Sequence, residues 1–263
     1  MSARNTGKVW LVGAGPGDPE LLTLKAVRAI AKADVILIDD LVNPAVLQHA
    51  RNDARVVPVG KRGGCASTPQ AFIERLMVAE ASTGKIVVRL KGGDPFMFGR
   101  GGEEIAALRA ADIEFEVVNG ITAGLAAPTS IGMPLTHRDL CHGVAFITGH
   151  TKDDESLRWS SLLQAGLTLV IYMGIANLAK IAIDLQRGGA SKHMPVAVIQ
   201  NATLPTQRVL ISTLDLVADA ASAQQFASPS IVIVGEVVNL ADQHEFRDLA
   251  GQAAQRLGSV MNA

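Results

Sequence analysis

Two glycine-rich segments hold the residues best suited to grip a ligand. The first is Val88-Arg-Leu-Lys-Gly-Gly-Asp-Pro-Phe-Met-Phe-Gly-Arg-Gly-Gly-Glu-Glu104. It is a strand-like run that enters a turn, and Gly92 and Gly93 let the backbone approach a ligand with no Cβ in the way. Asp94 is placed to cap a helix, with Pro95 at its first position, where a missing N–H costs nothing. The same carboxylate could instead hold the ammonium of a ligand. The second segment, Val12-Gly-Ala-Gly-Pro-Gly-Asp-Pro-Glu-Leu-Leu-Thr-Leu-Lys25, repeats the order of strand, glycine turn, Asp-Pro and helix. Two such turns in one half of a chain imply a ligand cleft at the carboxyl edge of a parallel sheet.

Gly13-Ala-Gly15-Pro-Gly17 invites a dinucleotide-fold reading but departs from Gly-x-Gly-x-x-Gly. Pro16 removes a backbone N–H where that fold offers donors to a pyrophosphate. No Lys-Ser/Thr follows, so the segment is not a phosphate-binding P-loop. A ligand without phosphate suits it better. On this motif alone a nicotinamide oxidoreductase stays open, and so does a plain strand–helix turn.

The elements that must position these loops follow from the hydrophobic pattern. Strands are expected near 8–13, 34–39, 55–59, 86–90 and 115–118, then 144–149, 168–173, 195–200, 207–213 and 230–237. Val35-Ile-Leu-Ile38 and Ile231-Val-Ile-Val234 are apolar on both faces, as a covered sheet requires. Helical patterns fall near 20–33, 69–83, 101–111 and 174–188, with a further helix-like stretch from Thr213 to Ala223. The alternation predicts an α/β protein. Pro134, the polar run Thr136 to Asp139 and Gly143 mark a boundary. Two α/β domains are expected, over 1–137 and 138–245, with a cleft between them and a tail at 246–263.

Composition narrows the function. The 263 residues are 48% hydrophobic with a formal net charge of −1, enough for a large core and without the basic excess of a nucleic-acid binder. Two tryptophans and one tyrosine give no stacking platform for bases. Cys65 and Cys141 form no Cys-x-x-Cys, and the six histidines form no metal-binding spacing, so neither a disulfide framework nor a metal is expected. The first residues lack the apolar core of a signal peptide. The most apolar run, Leu167 to Ala176, is too short to span a bilayer. A soluble cytoplasmic protein is the expectation.

Together with Gly132-Met-Pro-Leu-Thr-His-Arg-Asp139, the two glycine segments resemble the signatures of the tetrapyrrole methylases, within them the branch that acts on uroporphyrinogen III. The resemblance runs from about residue 8 to about residue 240. It implies a class III methyltransferase fold and S-adenosylmethionine as methyl donor, with S-adenosylhomocysteine as product. It also implies two successive C-methylations, at C2 and C7, giving precorrin-2 by way of precorrin-1 for cobalamin and sirohaem synthesis. A homodimer is implied as well. The longer members carry a further dehydrogenase/chelatase domain, which is not expected within these 263 residues.

Carried onto matching positions, the resemblance assigns the cofactor to Pro16, Gly92, Gly93, Asp94, Met97, Thr122 and Ala123 in the first half, and to Met173 and Ala202 in the second. It makes Asp39 the base and Lys61 the acid, both at the carboxyl ends of expected strands. On type alone, Asp39 could equally cap the next segment and Lys61 could be a solvated lysine. The eight-carboxylate substrate calls for cations. Arg62, Arg100 and Arg138 are the principal candidates, and Lys61, Arg89, Lys91, His137 and His150 are further ones. Asp40 stands where the family more often has a basic residue. Rival readings are a later corrin-pathway methylase, the oxidoreductase above, and a tetrapyrrole carrier that would be indifferent to loss of Asp39 and Lys61.

Overall fold

In the computed structural model, residues 7–60, 68–149 and 159–241 are described. The chain divides into two compact units, Met1–Ala126 and Ala127–Ala263. The first holds strands β1 (Lys8–Gly13), β2 (Val35–Ile38), β3 (Arg55–Pro58), β4 (Ile86–Lys91) and β5 (Glu114–Val118). Its helices are α1 (Leu24–Ile30), α2 (Gln70–Ala81) and α3 (Gly101–Ala110), and α4 (Ala123–Thr129) spans the division. The second unit holds β6 (Gly143–Thr148), α5 (Trp159–Gln164), β7 (Leu167–Tyr172), α6 (Leu178–Arg187), β8 (Pro195–Gln200), β9 (Arg208–Thr213), α7 (Val217–Ala223) and β10 (Ser230–Val234). The fold is α/β, as the alternation of patterns predicts.

The first sheet runs β3-β2-β4-β1-β5 and every pairing is parallel. Helices cover both faces, so the strands must bury both rows of side chains. Val9, Leu11, Val35, Leu37 and Val87 pack with Ile73 and Met77 of α2 and Ile105 and Leu108 of α3. Val12, Ile36, Val88 and Leu90 face the other way, onto Ala26 and Ile30 of α1. The second sheet, β6-β7-β10-β8-β9, is mixed: β6 and β7 are parallel, and β10 runs antiparallel to both β7 and β8. The carboxyl ends of β7 and β8 therefore flank the start of β10, where Tyr172 pairs with Ile231 and Gln200 with Ser230.

Three expected elements differ. The helix near 20–33 is two pieces, a 3-10 turn Pro19–Leu21 capped by Asp18 and then α1, which Thr23 restarts by accepting the Ala26 N–H at 3.1 Å. The last strand stops at Val234, because Gly235 turns the chain at φ +149° into a 3-10 turn over Glu236–Leu240. Finally, Pro95 does not open a helix. The segment after Gly93 stays irregular, and α3 begins only at Gly101.

Glu80, near the end of α2, joins that helix to the sheet through Arg55 and through Lys85 at 2.9 Å. These partners, Lys85 first, hold its carboxyl below the ordinary value. A carboxyl lowered in the folded state stabilises above its unfolded value, near 4.5, and loses that contribution as the pH falls through the folded value. Glu80→Gln should therefore lower Tm at pH 7 and flatten the acid limb of a Tm-against-pH curve. An unchanged curve would show the pair contributes nothing.

Candidate active site

Three loops at the carboxyl ends of β1, β4 and β5 meet backbone against backbone. Gly15 and Gly93 exchange hydrogen bonds, N–H to O at 3.2 and 2.7 Å, and the Ala14 N–H donates to the Lys91 carbonyl at 2.7 Å. Gly120, in the loop after β5, lies so close that a Cβ there would stand 2.2 Å from the Gly93 oxygen. Gly15 and Gly93 themselves take left-handed φ values of 74° and 65°, which glycine adopts without strain.

Asp94 locks this junction. One oxygen accepts the Phe96 N–H at 2.8 Å; the other accepts the Gly120 N–H at 3.1 Å and the Asn119 amide at 3.2 Å. It is thus a clamp between the loops after β4 and β5 rather than a helix cap. The loop after β2 is tied in as well: the Asn43 side chain donates to the Gly17 carbonyl at 2.8 Å, and a Cβ on Gly92 would come within 2.9 Å of Leu41 Cβ.

The rim these loops present suits a cation without phosphate. Residues 14–18, 92–97 and 119–123 contain Asp18 and Asp94 and no basic side chain, a set that repels a pyrophosphate and favours a sulfonium or ammonium. Pro16, Gly92, Gly93, Asp94, Met97 and Ala123 are half-buried, and Thr122 is buried beneath Gly93. In the second unit, Met173 follows β7 at φ 55° with its side chain half exposed. Left-handed backbone is costly for a residue with a Cβ, and such strain gathers at ligand sites. Ala202 lies after β8 between Asn201 and Thr203, both also left-handed. The Thr203 N–H is held by Gln207 Oε1 at 2.7 Å, which also accepts Ser130 Oγ at 2.9 Å.

Asp39 follows β2 at the same edge as the glycine loops. Its Oδ2 accepts from the Arg89 guanidinium at 2.9 Å, and its Oδ1 accepts the Asp40 N–H at 3.0 Å. It caps no helix: the turn at Pro44–His49 is capped by Asn43. Asp40 is exposed, and its carboxylate lies against Gly60. Lys61 and Arg62 fall outside the described residues, as does His150.

The expectation that Arg89 and Lys91 offer their charge to a substrate is not met. Both are under 4% exposed and face Glu104 of α3, which is wholly buried. Arg89 Nε stands 2.9 Å from one Glu104 oxygen and Lys91 Nζ 3.0 Å from the other. Burial, and then the charge of Arg89, pull Lys91 below the usual lysine value. Glu104 is the participant that sequence reasoning missed. Its signal was present: Gly101, Glu104, Ile105 and Leu108 recur at the spacing of one buried helix face.

Arg100 precedes α3 at φ 57°. It is exposed, and Glu103 grips its guanidinium at 3.0 and 2.5 Å, so it meets a substrate already paired. Arg138 is exposed in a turn within the Gly132–Asp139 motif. There the Asp139 N–H donates to His137 Nδ1 at 3.3 Å. Among the described residues, no three His, Cys, Asp or Glu side chains could together hold a metal ion, and no helix is long and apolar enough to cross a membrane.

This two-unit α/β fold, with glycine loops that carry acidic and no basic side chains, is shared with the class III tetrapyrrole methyltransferases. Residues 8–218 match the Tetrapyrrole (Corrin/Porphyrin) Methylases, and the chain belongs to that family. It is 56% identical to uroporphyrinogen-III C-methyltransferase of Pseudomonas aeruginosa, over 88% of this chain and 94% of that one. It is 50% identical to sirohaem synthase of Azotobacter vinelandii over 90% of this chain but only 51% of that one, so it spans about half of that longer protein. The crystal structure of uroporphyrin-III C-methyl transferase from Thermus thermophilus complexed with S-adenosylhomocysteine superposes with a TM-score of 0.75 at 40% identity, over 88% of this chain and 93% of that one. The resemblance carried by the three motifs is thus borne out across most of the chain.

Proposed function

We propose that this chain methylates uroporphyrinogen III at C2 and C7, forming precorrin-2 by way of precorrin-1 for cobalamin and sirohaem synthesis. The observation that carries the reading is the acidic, base-free rim of glycine loops beside Asp39, in a chain 56% identical to a uroporphyrinogen-III C-methyltransferase. S-adenosylmethionine supplies an electrophilic methyl group on a positively charged sulfur. In the transfer, a carbon–carbon bond forms at a pyrrole carbon as the carbon–sulfur bond breaks, and the macrocycle then loses a proton.

The protein's part is alignment, exclusion of water and proton transfer. Pro16, Gly92, Gly93, Asp94, Met97, Thr122 and Ala123 are the proposed cofactor contacts of the first unit, and Met173 and Ala202 those of the second. Asp94 keeps a negative charge at the rim while it clamps the loops. Asp39 accepts the proton and Lys61 acts as acid. Arg62, Arg100 and Arg138 bind substrate carboxylates, Arg138 being well exposed for it. A cytoplasmic homodimer completes the proposal.

The test is anaerobic incubation with S-adenosylmethionine and uroporphyrinogen III, with product mass read after oxidation. A gain of two methyl groups is expected. Binding of S-adenosylmethionine without methyl gain would move the substrate to a later corrin intermediate. No binding of that donor would overturn the reading.

A further inference from the structure

Asp39 is the exposed end of a chain of buried charge. Glu104, with no exposed surface, contacts Arg89 Nε at 2.9 Å and Lys91 Nζ at 3.1 and 3.0 Å. Arg89 is fixed on its remaining sides. One terminal nitrogen donates to the carbonyls of Leu90 at 3.2 Å and Leu37 at 3.4 Å, and the other donates to Asp39 at 2.9 Å. Two cations and two carboxylates cancel, and only Asp39, one-third exposed, reaches water.

Stability gives such a network little reason to exist. Replacing buried ion pairs with packed apolar groups is often neutral or stabilising. β4 would place apolar residues at 89 and 91, as it does at Val87 on the same face. What the network does supply is direction. Glu104 fixes the guanidinium at Nε and the Leu90 and Leu37 carbonyls fix one terminal nitrogen, so the other terminal nitrogen is aimed at one oxygen of Asp39.

We propose that Glu104 is a positioning residue that sets the Asp39 carboxylate through Arg89, with Lys91 balancing its charge. The inference rests on the proposed role of Asp39 as base. Its test is a double-mutant cycle, with Glu104→Leu and Lys91→Met introduced together so that the buried charge stays balanced, in the native and Asp39→Asn backgrounds. In the native background, kcat for uroporphyrinogen III should fall at least tenfold, with S-adenosylmethionine affinity and KM within about threefold. In the Asp39→Asn background, the same pair should change kcat by less than twofold. A merely structural network would lower both backgrounds by the same factor, and that result, or no loss in the native background, overturns the inference. An Asp39→Asn enzyme of native rate would instead overturn the role of Asp39 itself. If thermal unfolding shows that the paired variant does not fold, Glu104→Gln, which keeps the side-chain shape, carries the same cycle.

Discussion

Asp39→Asn is expected to lower kcat for methyl transfer to uroporphyrinogen III by about 10²–10⁴-fold, the usual range for loss of a general base. The amide keeps one oxygen for Arg89, so the geometry at the end of β2 survives while the capacity to take a proton is lost. Affinity for S-adenosylmethionine should stay within about threefold, because neither oxygen of Asp39 contacts the glycine loops: one takes Arg89 and the other the Asp40 N–H. Stability should fall by only about 1 kcal/mol, since Asp39 is one-third exposed and water replaces part of the lost interaction. Single-turnover methylation together with S-adenosylmethionine titration separates these effects. A rate within fivefold of native would remove Asp39 from proton transfer.

Gly120→Ala is expected to cost about 3 kcal/mol and to weaken S-adenosylmethionine binding at least tenfold. The new Cβ would stand 2.2 Å from the Gly93 oxygen and 2.8 Å from the Gly13 carbonyl carbon, both backbone, so no side chain can turn aside. Relief requires the loops after β1, β4 and β5 to part, and the Asp94 clamp parts with them. Gly102→Ala in α3 is the control. Nothing lies within 4 Å of its Cβ, and alanine favours a helix over glycine by about 0.5–1 kcal/mol, so its Tm should hold or rise. Thermal unfolding and calorimetric titration of both variants decide the matter. A native Tm for Gly120→Ala would mean that the three-loop junction is loose.

Much of this protein was legible before folding. Among the described residues, the ten strands and their order along the chain follow from β-branched runs punctuated by glycine and proline. Asp18 and Pro19 do open a helical turn, as their order says. The same two letters at Asp94 and Pro95 do not, because the Asp94 carboxylate finds partners 25 and 26 residues away that no local rule contains. At 230–237 the turn does fall on a glycine, Gly235, but the apolar residues on both sides of it read as one strand.

Charge was the least legible property. Arg89, Lys91 and Arg100 look alike in the sequence as cations near a glycine loop. Only packing separates them, into two that are buried on Glu104 and one that is exposed and paired to Glu103. By itself, the sequence determined the α/β class, the family and the glycine loops, because periodicity, backbone permissiveness and missing N–H groups are properties of neighbouring residues. Tertiary structure alone decided the strand orders, the mixed pairing of the second sheet, the Asp94 clamp and the Asp39–Arg89–Glu104–Lys91 chain. These depend on which distant groups burial brings together, and burial sets whether a charge must be neutralised inside or is left to water.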